Sequence, residues 1–124
     1  MESVNAVVLP PEAAGVEEIA PPRTRIFVFY RAPENDPLAV ERTYHEVSGT
    51  MRGTEGLLRN ELIKDVTDPG GYVVASEWVD MAAFSAWDKS SGHRRTSPLD
   101  PYQDADPSRR KHFGIYQVVA RYSS

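Results

Sequence analysis

Gly56–Arg95 reads GLLRNELIKDVTDPGGYVVASEWVDMAAFSAWDKSSGHRR. Leu57 to Val66 has the length and mixed polarity of a half-buried strand. Thr67-Asp68-Pro69-Gly70-Gly71 is a dense turn signal, since Pro presets φ and Gly accepts backbone angles that other residues avoid. Tyr72 to Trp78 is a second strand, rich in β-branched and aromatic residues. The two strands are therefore expected to close as an antiparallel hairpin. Asp80 then stands where a helix needs a capping side chain. The helix it opens carries Met81, Phe84 and Trp87 inward at three-residue steps. Ser90-Ser91-Gly92 interrupts it, and His93 to Thr96 reads as a further helical turn.

The chain on either side completes a pattern. Upstream, Arg25 to Arg31 (RIFVFYR) is a strand bounded by breaker residues. Ile26, Val28 and Tyr30 share one face of it, and Phe27 and Phe29 the other. Asp36-Pro37 opens a helix whose stripe is Val40, Tyr44, Val47 and Met51. Gly53 and Gly56 end that segment. Downstream, Pro98 to Lys111 is a polar loop, and His112 to Tyr122 is the last strand. The order β-α-β-β-α-β predicts an α+β ferredoxin-like sandwich, four strands with two helices on one face. The face without helices carries Phe27, Phe29, Val73 and Ala75, or their opposites, plus one side of the last strand. Exposing these together is unfavourable at roughly 25 cal/mol per Å² of apolar area. A homodimer packed sheet on sheet is the physical expectation. Residues 1–24, with Pro10–Pro11 and Pro21–Pro22, read as a Pro-rich N-terminal arm, either a disordered leader or an arm laid across a neighbouring subunit. Residues 25–124 form the folded domain.

Composition narrows the function. The chain has 124 residues, enough for one hydrophobic core. Its 14 basic residues are outnumbered by 18 acidic ones, so phosphate neutralisation, the main source of nucleic-acid affinity, is weakly provided for. No Cys is present, which removes disulfides, thiolate nucleophiles and Cys metal sites. No apolar run is long enough to span a membrane. The acidic start lacks the basic and apolar regions of a signal peptide. These features point to a cytoplasmic protein with neither nucleic acid nor membrane as partner. His45, His93 and His112 are scattered without ligand spacing, so no metal site is expected. No phosphate-cradling Gly loop, dinucleotide fingerprint or Ser-His-Asp order is present.

Gly56-Leu57-Leu58, Tyr72-Val73-Val74, Glu77-Trp78-Val79-Asp80, Ala83-Phe84-Ser85-Ala86-Trp87 and Ser91-Gly92-His93-Arg94 together resemble the antibiotic biosynthesis monooxygenase family. The resemblance spans about residues 25–122. It implies dimers whose sheets pack into a shared barrel, with a pocket in each subunit between sheet and helices. Members include cofactor-independent oxygenases of polycyclic phenols and haem-degrading oxygenases. Trp78 resembles the strand-end Trp that lines the pocket of the polyketide-oxidising members. Those members pair it with an Asn four residues earlier on the same face, where this chain has Val74. Trp87 resembles the helix Trp that stacks on porphyrin in the haem-degrading branch. That branch also has an Asn in the first strand, where this chain offers Phe29, Tyr30 and Arg31, and a His about one turn beyond His93.

The resulting expectation is a small dimeric oxygenase or tailoring enzyme acting on an aromatic natural-product intermediate, with no metal, flavin or other cofactor. Trp78, Trp87, Phe84, Tyr44 and Val74 are the expected substrate contacts. His93, Tyr30 and Trp78 are the expected catalytic residues, His93 as a proton acceptor near neutral pH. Trp78 and Trp87 read equally as packing residues, and His93 as a solvated one. Two other functions remain open: a non-oxidative cyclase or isomerase in the same pocket, and a non-catalytic carrier of a hydrophobic ligand or haem.

Overall fold

A computed structural model of the chain describes residues 22–90, 97–105 and 112–122. The elements follow the expected order: β1 (Thr24–Arg31), α1 (Ala39–Ser48), β2 (Leu57–Lys64), β3 (Gly71–Trp78), α2 (Met81–Ser90) and β4 (Phe113–Gln117). The four strands make one sheet in the order β2-β3-β1-β4, antiparallel at every step. β1 and β2 both run opposite to β3, so they are parallel to each other and α1 crosses between them. α2 links β3 to β4 in the same way. This is the α+β ferredoxin-like sandwich.

Register assigns the faces. Thr24, Ile26, Val28 and Tyr30 of β1 lie opposite Trp78, Ser76, Val74 and Tyr72 of β3. Asn60, Leu62 and Lys64 of β2 continue those rungs on the far side of β3. The helices cover this face. Val40 of α1 is fully buried and joins Tyr30, Ala32, Tyr72 and Leu99 in the core, with Val28, Val47, Leu62, Val74 and Tyr102 packed against it. Of the two sets the sequence left open, the opposite face carries Phe27, Phe29, Val73 and Ala75, and Ile63 and Tyr116 stand 45% and 56% exposed beside them. Phe27 and Tyr116 place their rings 5.5 Å apart there. At one end of this open face the buried Glu77 carboxylate meets three guanidinium groups: Arg25 at 3.4 Å, Arg59 at 3.3 Å and Arg121 at 3.3 Å.

Gly56 fixes how α2 meets the sheet. Its φ of +83° is a left-handed conformation that residues with a Cβ rarely adopt, and a methyl group there would fall on the side chain of Ala83. The start of β2 and the first turn of α2 thus touch backbone to side chain. Asp80 caps α2 as expected, its Oδ1 accepting the Ala83 N–H at 2.8 Å.

Other details depart from the sequence expectation. Asp36 does not cap α1: its carboxylate accepts from the Arg42 guanidinium at 2.6 Å, and α1 starts at Ala39 with no side-chain cap. Met81 is 37% exposed rather than inward, because it is the first helical residue and precedes the face that meets the sheet. β2 ends at Lys64, since Asp65 turns its Oδ1 onto the Thr67 N–H and hydroxyl. β4 ends at Gln117 rather than Tyr122. The segment read as a polar loop is not wholly polar. It contains a 3-10 turn, Asp100–Tyr102, that buries Leu99 against Tyr30 and Val40. The expected arm lies almost entirely, and the helical turn at His93 wholly, outside the described residues.

Candidate functional site

Two neighbouring regions lie beneath the helices. The first is aromatic and closed. Trp78 ends β3 and is 1% exposed. Its indole N–H donates to Ser76 Oγ at 3.0 Å. α2 lays Phe84 and Trp87 onto it, with ring centroids 5.6 and 5.5 Å from the Trp78 ring and 6.1 Å from each other. Such edge and tilted contacts add to simple burial, because ring edges and faces carry opposite partial charge. Trp78, Phe84 and Trp87, expected from the sequence, are therefore brought together.

The second region is a cleft of about 320 Å³ between α1 and the β2–β3 half of the sheet. Glu41, Tyr44 and His45 of α1 line it from above, and Leu62, Lys64 and Tyr72 from the sheet. The three helix residues lie within one turn or at i, i+4, so they share one side of α1. Tyr44 is the expected contact residue that reaches this cleft. Its hydroxyl donates to the backbone carbonyl of Asn60 at 3.1 Å. The Tyr72 hydroxyl donates to Glu41 Oε2 at 2.6 Å, and the Lys64 ammonium lies 5.9 Å from the Tyr72 ring centre.

Electrostatics assign protons to the phenols. The hydrogen bond to Glu41, with burial, pushes the Tyr72 hydroxyl up to about 12. Burial, and then the negative charge of Asp100, pushes Tyr30 up to about 12 as well. Burial followed by Glu61 raises Tyr44. All three keep their protons at neutral pH. Tyr30 and Val74 lie on the helix-covered face, in or against the core, and neither lines the cleft. His93 lies outside the described residues. His45 is exposed at the rim of the cleft. Among the described residues no group of three or more His, Asp or Glu is placed to hold a metal ion. No helix among them is long and apolar enough to cross a membrane.

The sequence reading missed Glu41, Lys64, Leu62 and Asn60. Glu41 and His45 were legible as i, i+4 neighbours flanking Tyr44. The three residues of β2 were not, because their place depends on its register against β3.

The model of the antibiotic biosynthesis monooxygenase family matches residues 22–98. The chain belongs to this family. No curated protein matches it. Among solved structures it resembles SnoaB, a cofactor-independent oxygenase from Streptomyces nogalater, at 15% identity and a TM-score of 0.58 over 78% of this chain and 92% of that one. It also resembles the heme-degrader MhuD from Mycobacterium tuberculosis, at 19% identity and a TM-score of 0.57 over 82% of this chain and 100% of that one. A conserved protein from Methanosarcina mazei Go1 aligns with a TM-score of 0.61 at 14% identity, over 77% and 91% of the two chains. At these identities the likeness is one of fold.

Proposed function

We propose that this family member is an oxygenase of electron-rich aromatic compounds, and that the substrate enters through the cleft beneath α1. One observation carries the reading: the cleft joins ring-sized apolar walls, Tyr44, Tyr72 and Leu62, to groups that move or hold protons, Glu41, His45 and Lys64. An aromatic ring needs the walls. Reaction with O₂ needs the protons, because a phenol gives up an electron readily only as phenolate. His45 at the rim is placed to accept the phenolic proton. Lys64 supports the negative charge, and the Tyr72 hydroxyl stays protonated and holds the Glu41 carboxylate in place. The phenolate carbon then bonds to O₂, and the peroxide loses water. The balance is one phenol plus one O₂ giving one quinone and one water. The electrons come from the substrate. Trp78, Phe84 and Trp87 offer a second aromatic surface on the same helix-covered face, and His93 is carried forward as a second proton acceptor.

The resemblance in fold to SnoaB, described as a cofactor-independent oxygenase, agrees with this reading. The apolar open face of the sheet supports a homodimer, with Phe27, Phe29, Val73, Ala75, Ile63 and Tyr116 covered by the second copy.

The test is oxygen uptake with a panel of naphthols, with no metal, flavin or haem added. One O₂ consumed per quinone formed is expected. His45→Ala should lower kcat by about 10²-fold, the usual size of a general-base contribution. No uptake above the background of the naphthols would overturn the proposal. A second reading, non-oxidative proton transfer such as isomerisation or cyclisation, is favoured by the same three groups, Glu41, His45 and Lys64. Equal turnover with and without O₂ would select it.

A further inference from the structure

Leu62 and Lys64 stand two residues apart on the helix-covered face of β2, roughly 7 Å along the strand. The floor of the cleft therefore runs from an apolar side chain to a cation. The Lys64 ammonium lies 5.9 Å from the centre of the Tyr72 ring, the residue opposite it on the ladder. Among the described residues no carboxylate pairs with it. Glu41, the acid that lines the cleft, is engaged elsewhere: its Oε2 accepts the Tyr72 hydroxyl at 2.6 Å. Tyr72 thus holds the two charges at different places, the carboxylate at its hydroxyl and the ammonium over its ring. A ring face engages the positive charge but gives the three N–H donors no oxygen. The chain has 18 acidic residues to 14 basic ones, so acids were not in short supply to neutralise this cation. Size sets a second limit. At about 320 Å³ the cleft is at the lower end of ligand sites, which run from roughly 300 to 1,000 Å³. It suits one ring or two fused rings rather than a long polycycle.

We propose that Lys64 is the specificity-determining residue of the cleft, and that the ligand is a one- or two-ring hydroxylated aromatic acid whose carboxylate pairs with the Lys64 ammonium. The ring lies on Leu62 beside Tyr44 and Tyr72, and the hydroxyl faces His45. A carboxylate gives Lys64 a partner from the moment of binding. A neutral phenol offers a charge only after its proton has gone to His45. Lysine suits the task because its stem is long and flexible and its compact charge takes a carboxylate from several directions. This inference rests on the cleft being the ligand site, as proposed above, and names the substituent that its substrate carries.

The test uses 6-hydroxy-2-naphthoic acid and its primary amide, which share ring, hydroxyl and shape and differ in charge. Hydroxyl and carboxylate lie at opposite ends of this molecule, so no internal hydrogen bond hides either. Each is titrated calorimetrically against the full chain at neutral pH and low salt, with 2-naphthol as the reference for the ring alone. The native chain should bind the acid about fivefold more tightly than the amide, the upper end for an exposed ion pair, and about 0.5 M salt should remove most of that gain. Lys64→Met keeps an unbranched stem and should make acid and amide equal, with amide affinity within about twofold of native. Lys64→Arg should keep the preference, and Lys64→Glu should reverse it. Lys64 is exposed at the end of an edge strand, so these variants leave the core untouched. Equal binding of acid and amide by the native chain, with 2-naphthol bound, would overturn the carboxylate while leaving the cleft standing. An acid preference that survives in Lys64→Met would overturn the role of Lys64. Tighter binding of 6-hydroxynaphthalene-2-sulfonate than of the carboxylate would overturn the choice of anion. Failure of every ligand to bind, 2-naphthol included, would overturn the cleft reading and this inference with it.

Discussion

Replacing Gly56 by Ala should destabilise the protein through two separable causes. The first is backbone strain: at φ +83° an L residue with a Cβ costs about 1–2 kcal/mol. The second is overlap, because the new methyl falls on the Ala83 side chain, with Val79 Cγ2 3.5 Å away. Forcing a methyl into a filled space costs about 1–3 kcal/mol. The stiffer unfolded chain returns about 0.4–1 kcal/mol. The net loss is about 1–5 kcal/mol, a fall in thermal midpoint of roughly 4–20 °C for a domain of this size. Guanidinium denaturation measures it directly, with an unchanged slope showing that the same surface is exposed. The double variant Gly56→Ala, Ala83→Gly separates the causes. It relieves the overlap and keeps the strain, so a coupling of about 1–3 kcal/mol is expected between the two sites. A loss below about 0.5 kcal/mol in the single variant, or no coupling in the double, would refute this account of how α2 is seated. The consequence reaches the site, because α2 carries Phe84 and Trp87 onto Trp78.

Two further outcomes can be checked. Tyr30 and Tyr72 have hydroxyls raised from near 10 to about 12 in the fold, so the native state holds protons that the unfolded chain releases first. Stability is fully present below pH 10 and is lost as pH rises toward 12. Tyr30 alone accounts for at most about 3 kcal/mol of that loss. Urea midpoints measured from pH 8 to 12 should fall across that window, and Tyr30→Phe should flatten the fall. Glu77→Gln leaves three arginines without their shared carboxylate. Because Arg25 and Arg59 are half exposed, the cost is discounted to about 2 kcal/mol. It should shrink in 1 M salt, and a cost that is unchanged by salt would count against the ionic account.

The elements were largely legible in the sequence because each local signal agreed with the global one. Asp80 caps, the Asp68-Pro69-Gly70 turn reverses the chain, and RIFVFYR alternates on both faces. What was not legible depends on register. Leu57 lies opposite Trp78 and Arg59 opposite Glu77, with a bulge between them. That extra residue puts Leu57, Asn60 and Leu62 on one face, where strict alternation from Leu57 would put Asn60 and Leu62 on the other. The face taken by Asn60 and Leu62 was therefore invisible to a reading by strict alternation. Leu99 was missed for another reason. It is one apolar residue in a polar segment, and only the docking of the Asp100–Tyr102 turn onto the core reveals its burial. Tyr30 was correctly placed on the face of Ile26 and Val28, but alternation alone does not distinguish a core phenol from a pocket one.

The central claim is that an aromatic ligand lies in the cleft beneath α1. A crystal structure of the protein soaked with a slowly reacting naphthol tests it most directly. The ring should lie among Tyr44, Leu62 and Tyr72, with its oxygen toward His45 and Lys64. A naphthol bound on the open face of the sheet, or a cleft left empty, would contradict it.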